Sequence, residues 1–373
     1  MSLSRIITLH QPKRLEIGAS ASARVGAWAG DAASILILAT PHTAGFADRL
    51  GLKGKIAVFS DIPGEPDIIT FESAMTAAKE VRPDVVIGLG GGSVMDVAKL
   101  VAAMWNGTQM LADVAGPNKV AGRATRLVQI ATTAGTGSEA GIRALITDPS
   151  KGNKIAVESP HLIADLAVLD PELTFSVPPA VTAATGIDAM AHCVEAFTNR
   201  NAHPMIDGYA RMGIALVGKY LARAVRDGGD TEAREGMMLA SFYGGICLGP
   251  VNTAAGHALA YPLGTLLHLP HGLANAIIFP HVLAFNESSV PEKTAEVIGF
   301  LGLAPRSAEQ GLLAAAHGFC ADLGVEMRLS AHGAADDQLP RFAADAHAIR
   351  RLMDNNPRDM SVAEVEAIYR AAY

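Results

Sequence analysis

Little in this sequence points to a membrane or an extracellular setting. Cysteine is scarce: Cys193, Cys247 and Cys320 are three in 373 residues, scattered and odd in number. No disulfide framework is implied, and a reducing compartment is expected. No uninterrupted apolar run reaches the roughly 18 residues of a membrane span. The N-terminal stretch "MSLSRIITLHQPKRLEIG" lacks the apolar core of a signal peptide, so a cytoplasmic protein is expected. Basic charge is also in short supply. Lys and Arg number 30 against 37 Asp and Glu, a net charge of −7. That argues against general nucleic-acid binding and leaves small anionic substrates open through local positive charge. No internal repeat or low-complexity segment is present. Apolar residues, by contrast, make up 50% of the chain, enough to bury a sizeable core in one large or two ordinary domains.

The apolar residues fall into two patterns. Before residue 178, short continuous runs stand at 34–40 (SILILAT), 55–60 (KIAVFS), 84–90 (DVVIGLG), 126–133 (RLVQIATT) and 165–170 (DLAVLD), with helical stretches such as 71–81 and 94–105 between them. Continuous strands alternating with helices predict a parallel sheet covered on both faces. Pro178 and Pro179 break the chain and can open a helix. Beyond them the strand signals vanish. Ile206, Ala210, Ile214, Val217 and Leu221 form one helical stripe, 235–249 and 308–323 read as helices, and Ser361 with Glu364 fits a capping box. The expected architecture is an α/β, Rossmann-like N-terminal domain over 1–177 and an all-helical C-terminal domain over 178–373.

Two turns in the first half suit a nucleotide. "IGLGGGSVMDVAK" (87–99) joins a strand to a helix. Gly90, Gly91 and Gly92 allow a tight turn and close backbone approach, and the helix N-terminus beyond them offers free N–H groups to a pyrophosphate. The G-x-G-x-x-G fingerprint is not met, because Ser93 stands at its last position. Asp96 and Lys99 follow, either as an exposed i,i+3 pair or reaching the cofactor and its neighbouring loop. "ATTAGTGSEAG" (131–141) sets Thr132, Thr133, Thr136 and Ser138 after another strand. It reads as a phosphate, ribose or amide contact, or as a plain hydrophilic connection. At the ends of parallel strands, the two turns together read as a nucleotide site.

In the second half, "TGIDAMAHCVEAF" places Asp188 and His192 one helical turn apart on one face. "AAGHALAYPLGTLLHLPHGLANAIIFPHV" carries His257, His268, His271 and His281. Taken singly, each histidine reads as a hydrogen-bonded core or surface residue. Taken with Asp188 and His192, they offer nitrogens and one oxygen without sulfur, a set that suits Zn²⁺ or Fe²⁺ better than Ca²⁺ or Mg²⁺. Cys193 lies about 100° further round the helix than His192 and reads as core.

These motifs resemble the iron-containing (group III) alcohol dehydrogenases, of the dehydroquinate synthase-like fold, over nearly the whole chain. The resemblance rests on "GGGSVMDVAK", "ATTAGTGSE", "AATGIDAMAHCVEA" and the histidine-rich stretch. It implies an alcohol–carbonyl oxidoreductase working with NAD or NADP and Fe²⁺, with Zn²⁺ as the alternative. Asp188, His192, His257 and His271 are the implied metal ligands. The GGGS turn, Asp96, the Thr-rich loop and Lys154 are the implied dinucleotide contacts, with Thr185 and Gly186 near the nicotinamide. A homodimer or higher homo-oligomer acting on a small alcohol or carbonyl compound is implied, with no nucleic-acid or membrane partner. Two departures stand out. Many relatives have a proton-relaying His where this chain has Tyr261; Tyr261 and His268 are the candidates for that role here. NAD-preferring relatives often have Asp after the first strand, where this chain has Thr40 and Pro41, so NADP is expected to be tolerated. The "LATP" wording is similar to maleylacetate reductases, which supply an alternative function. A lyase of the dehydroquinate synthase type would want basic residues near the metal. Those between 180 and 290 (Arg200, Arg211, Lys219, Arg223, Arg226 and Arg234) are all away from the histidines in sequence. A non-catalytic nucleotide- or metal-binding protein is the remaining alternative.

Overall fold

A computed structural model describes residues 5–150, 153–303 and 311–373. Two compact units divide the chain. Among the described residues, one is Leu9–Ser176; the other joins residues 5–8 to the stretch from Val177 to Tyr373. No sequence pattern marks that return of the N-terminus to the helical unit. Arg5 anchors it, donating to the carbonyl oxygens of Asn201 and Pro250, the latter at 2.9 Å.

The first unit is built on a parallel sheet. The apolar runs become β2 (Ser34–Ala39), β3 (Lys55–Phe59), β4 (Val85–Gly90), β6 (Arg126–Ala131) and β9 (Leu166–Leu169), and a short β1 (Leu15–Ile17) joins one edge. The order is β1-β9-β6-β4-β2-β3. β4 is buried along its whole length, as a strand covered on both faces must be. The chain runs outward from β2 to β3 and then returns to β2's other side as β4. The crevice beyond the carboxyl ends at such a reversal is where open α/β sheets hold ligands. Helix α1 (Ile68–Val81) and helix α2 (Gly92–Met104) cover the sheet, and α2 is buried from Val94 to Met104 except at Asp96. A second sheet of β5 (Gly116–Pro117), β8 (Asn153–Glu158) and β7 (Arg143–Asp148) was not expected from the sequence.

The second unit is helical. Pro179 opens α3 (Pro179–Thr198), followed by α4 (Pro204–Arg226), α5 (Thr231–Leu248), α6 (Ala255–Leu266) and α7 (His271–Asn286). α3 lies at the centre, buried almost throughout and packed against α4, α5 and α7. Later helices include α8 (Pro291–Leu301), α9 (Leu312–Asp322), α10 (Leu339–His347) and α11 (Val362–Ala371). The Ser361–Glu364 capping box is formed at the start of α11. Part of the helix expected over 308–323 lies outside the described residues. Among those described, no helix is long and apolar enough to cross a membrane.

Candidate functional site

Asp188 and His192 sit in the middle of α3, where a one-turn spacing aims both side chains to the same side. α6 brings in His257. α7 brings in His271 as its first residue, directly after Pro270 fixes the turn. The Asp188 Oδ1 atom lies 3.5 Å from His257 Nε2, 3.7 Å from His271 Nε2 and 3.9 Å from His192 Nε2. The His192 and His257 rings stack at 4.6 Å, and the His271 ring is 5.3 Å from that of His257. Asp188, His192 and His257 are buried; His271 is half-buried.

The donor set fits a divalent cation. Ligand atoms about 2.0–2.2 Å from one ion lie roughly 3.3–3.6 Å apart when tetrahedral, close to the Asp188 separations; Asp188, His192 and His257 offer ligand atoms all within 4.8 Å of one another, and His271 joins them through its 3.7 Å approach to Asp188. Electrostatics agrees. Burial alone would raise the Asp188 carboxyl, but His192, His271 and His257 outweigh it and hold it well below the usual carboxylate range. Burial likewise pushes His257 down, and Glu195 and Asp188 outweigh it and lift the imidazole to about 10. The cluster therefore favours positive charge. The Asn275 amide nitrogen donates to Asp188 Oδ1 at 2.7 Å and lies 3.2 Å from His271 Nε2 and 3.3 Å from His257 Nε2. Its own Oδ1 is buried without a partner.

Three residues beside this cluster were not singled out in the sequence. Asn275 is four residues after His271, and Glu195 three after His192, so each lies on its ligand's helix face. Arg351 had no signal; it donates to the Tyr261 hydroxyl at 3.3 Å. The Tyr261 ring in turn stacks on His271 at 5.9 Å. His268 is exposed, with a left-handed φ of 56°, and makes no hydrogen bond to the cluster. His281 is apart as well: buried, and pushed down to about 4 by that burial and by His317.

In the sheet unit, the two expected turns do meet. Thr132 N–H donates to Gly90 O at 3.0 Å. A Cβ on Gly91 would stand 3.0 Å from Thr133 Oγ1, and one on Gly92 only 2.7 Å from Thr136 Cγ2, so glycine lets the Thr-rich loop close on the start of α2. Thr40 directly follows β2 and donates its N–H to Thr43 Oγ1, whose hydroxyl donates to Leu89 O at 2.8 Å. Ser93 donates to Gly64 O, and Lys154 pairs with Glu65 at 2.6 Å.

Asp96 and Lys99 are not an exposed pair. Lys99 is buried, and its ammonium donates to Ser138 Oγ and Arg143 O, both at 2.7 Å. Asp96 accepts from Ser138 Oγ at 2.6 Å and Leu145 N at 2.9 Å. The three side chains thus pin α2 to the Thr-rich loop and β7.

Glu139, next to Ser138, is buried with its Oε1 unpartnered. Burial pushes its carboxyl up to about 7, offset only in part by its own backbone N–H and Lys99. The unfolded chain releases this proton near pH 4.5 and the folded chain near 7, so stability falls as pH rises through that window. The full effect is on the order of 3 kcal/mol. Glu139→Gln is expected to flatten this part of the stability–pH curve, read by Tm between about pH 4.5 and 8. An unchanged slope would mean that Glu139 is ionised when folded.

Comparison with known proteins follows the same division. The model of the Fe-containing alcohol dehydrogenase family, C-terminal, matches residues 182–373, and that of iron-containing alcohol dehydrogenase matches 12–171. Long-chain-alcohol dehydrogenase 1 of Geobacillus thermodenitrificans is 36% identical, over 85% of this chain and 82% of its own. The sulfoacetaldehyde reductase of Bilophila wadsworthia is 33% identical, over 87% and 85%. Among solved structures, a 1,3-propanediol oxidoreductase superposes with a TM-score of 0.90 at 28% identity, over 99% of this chain and 100% of that one. A sulfoacetaldehyde reductase from Bifidobacterium kashiwanohense, in complex with NAD+, gives 0.89 at 25%, over 99% of both.

Proposed function

The chain belongs to the iron-containing alcohol dehydrogenase family and is an oxidoreductase that interconverts alcohol and aldehyde; on that premise we propose that Asp188, His192, His257 and His271 hold its divalent metal. Fe²⁺ is the preferred ion, with Zn²⁺ compatible with the same donors. NAD or NADP takes the carboxyl ends of β2, β4 and β6, and ketones are turned over as well as aldehydes. The observation that carries the reading is three imidazole nitrogens within 3.9 Å of one buried carboxylate oxygen.

When bound, the metal supplies Lewis acidity at the substrate oxygen and the nicotinamide a hydride carrier. The protein does the rest. The Asp188 carboxylate offsets part of the ion's charge. Gly90, Gly91, Gly92 and Ser93, at the start of α2, receive the pyrophosphate, with Thr132, Thr133 and Thr136 beside them. Asp96, Lys99 and Ser138 hold that loop in place, and Lys154 adds a cation near the nucleotide. No carboxylate follows Thr40 at the end of β2, which supports tolerance of a 2′-phosphate.

Proton transfer falls to Tyr261. Its ring rests on His271, and Arg351 donates to its hydroxyl, holding the phenol in place beside the cluster. Tyr261→Phe is expected to lower kcat about a hundredfold, the lower range for a lost acid–base group, with metal binding unchanged. His268→Ala is the companion variant, expected to leave kcat near the parent's. A kcat loss in His268→Ala instead would transfer the role.

The function is tested by absorbance at about 340 nm, where the reduced nicotinamide absorbs. Apo enzyme restored with Fe²⁺ or Zn²⁺ should oxidise NADH or NADPH with a panel of carbonyl compounds. Full turnover without metal would overturn the metal assignment, and no turnover with any of them would overturn the redox reading. We further propose a cytoplasmic homo-oligomer, with neither nucleic-acid nor membrane partners; a single-chain mass by light scattering would exclude the oligomer.

A further inference from the structure

We infer that Glu195 is the residue that fixes the tautomer and direction of His257 for the metal. The inference rests on the metal reading above and goes one shell further out. His257 Nδ1 lies 2.7 Å from Glu195 Oε1, and both side chains are buried. A carboxylate can only accept, so the proton of this bond sits on Nδ1. Nε2, the atom 3.5 Å from Asp188 Oδ1, is thereby the nitrogen left to bind the metal. Ligating histidines are commonly held this way, and the outer carboxylate makes them better donors.

The surroundings are built for this contact. The second carboxylate oxygen, Oε2, accepts from Ala254 N at 2.5 Å and His257 N at 3.4 Å. No side chain caps the N-terminus of α6 from Ala254 itself, so Glu195 reaches across from α3 to do so. Gly256 completes the fit: a Cβ there would lie 2.5 Å from Glu195 Oε1. The residue before the ligand is bare because the carboxylate occupies that space.

The test is zinc affinity of the full-length apo protein, by competition with a chromogenic chelator. Glu195→Gln has no good orientation. With its amide oxygen towards Nδ1, its NH₂ faces two N–H donors; turned round, it donates to Nδ1 and puts the ring proton on Nε2. Zinc should bind about 10- to 100-fold more weakly. In a His257→Ala background the same change should cost less than about threefold, because the residue through which it acts is gone. A merely structural role would weaken zinc equally in both backgrounds, and that result overturns the inference, as does parent-like affinity in Glu195→Gln. Gly256→Ala asks the same question should that variant not fold: weaker zinc supports the inference and parent-like affinity overturns it. In the zinc-loaded parent the ¹⁵N shifts of the His257 ring, with its one proton on Nδ1, give a second readout. Failure of the parent itself to bind zinc overturns the metal reading and this inference with it.

Discussion

His271→Ala is expected to lower turnover by about a thousandfold or more, the several kcal/mol that a Lewis-acid metal contributes at a reacting oxygen, while the protein stays folded. His271 is the cleanest of the four donors to remove. It is the first residue of α7 and its side chain is 29% exposed, so truncation opens a space that water can fill. The stability cost is expected to stay below about 1 kcal/mol. Tyr261 loses a stacking partner and Asn275 a polar neighbour, but Asp188 still takes the amide. His257→Ala is less clean, because it strands the Glu195 carboxylate in the interior; breaking a buried charged pair costs about 3–5 kcal/mol. The measurements are kcat at saturating metal, zinc affinity and Tm on the same preparation. Parent-like turnover in metal-depleted buffer would remove His271 from the ligand set. A collapse of Tm alongside kcat would mean that the residue serves the fold first.

Much of this was legible because the central elements are extreme. Residues 34–39, 85–90 and 126–131 read as strands since they are apolar on both faces, and they are buried on both. β7 was missed because only every second residue of Arg143–Asp148 is buried, so its polar half reads as loop. β1, three residues long, is too short to show a period. Asp188 and His192 were visible as a pair because helical spacing is local information. Their meeting with His257 and His271 is not local: it depends on how α6 and α7 pack on α3, and entered the sequence reading through family resemblance. Spacing also left Asp96 and Lys99 undecided. An i,i+3 pair looks the same on a surface as in a core, and what distinguishes them here is a hydroxyl on Ser138 and a carbonyl on Arg143. Glu195 and Asn275 carried a signal, one turn from a ligand, that gains meaning only once the ligand is known.

Gly272→Ala should damage the metal centre without touching a donor. Gly272 follows His271 in the first turn of α7, where that helix crosses α3. A Cβ there would stand 2.5 Å from Ala184 O and 2.8 Å from Ala184 C. Both are backbone atoms in the first half of α3, so no side chain can swing away. One helix must move. Overpacking of this kind costs about 1–3 kcal/mol, but the sharper consequence is positional. The same α3 carries Asp188 and His192 one and two turns further on, while α7 carries His271 one residue before the clash. Moving the helices apart carries His271 Nε2 away from its present 3.7 Å to Asp188 Oδ1, and a loss of even about 1 Å in a site of this kind is costly. Zinc affinity and kcat are both expected to fall at least about tenfold, with Tm lowered by a few degrees. The next residue cannot share the strain, because Leu273 packs against the hydrophobic core around α6 and resists any outward shift of α7's first turn. A Gly272→Ala protein with parent-like zinc affinity would show that the approach of α7 to α3 has slack, and that His271 is not held in place by it.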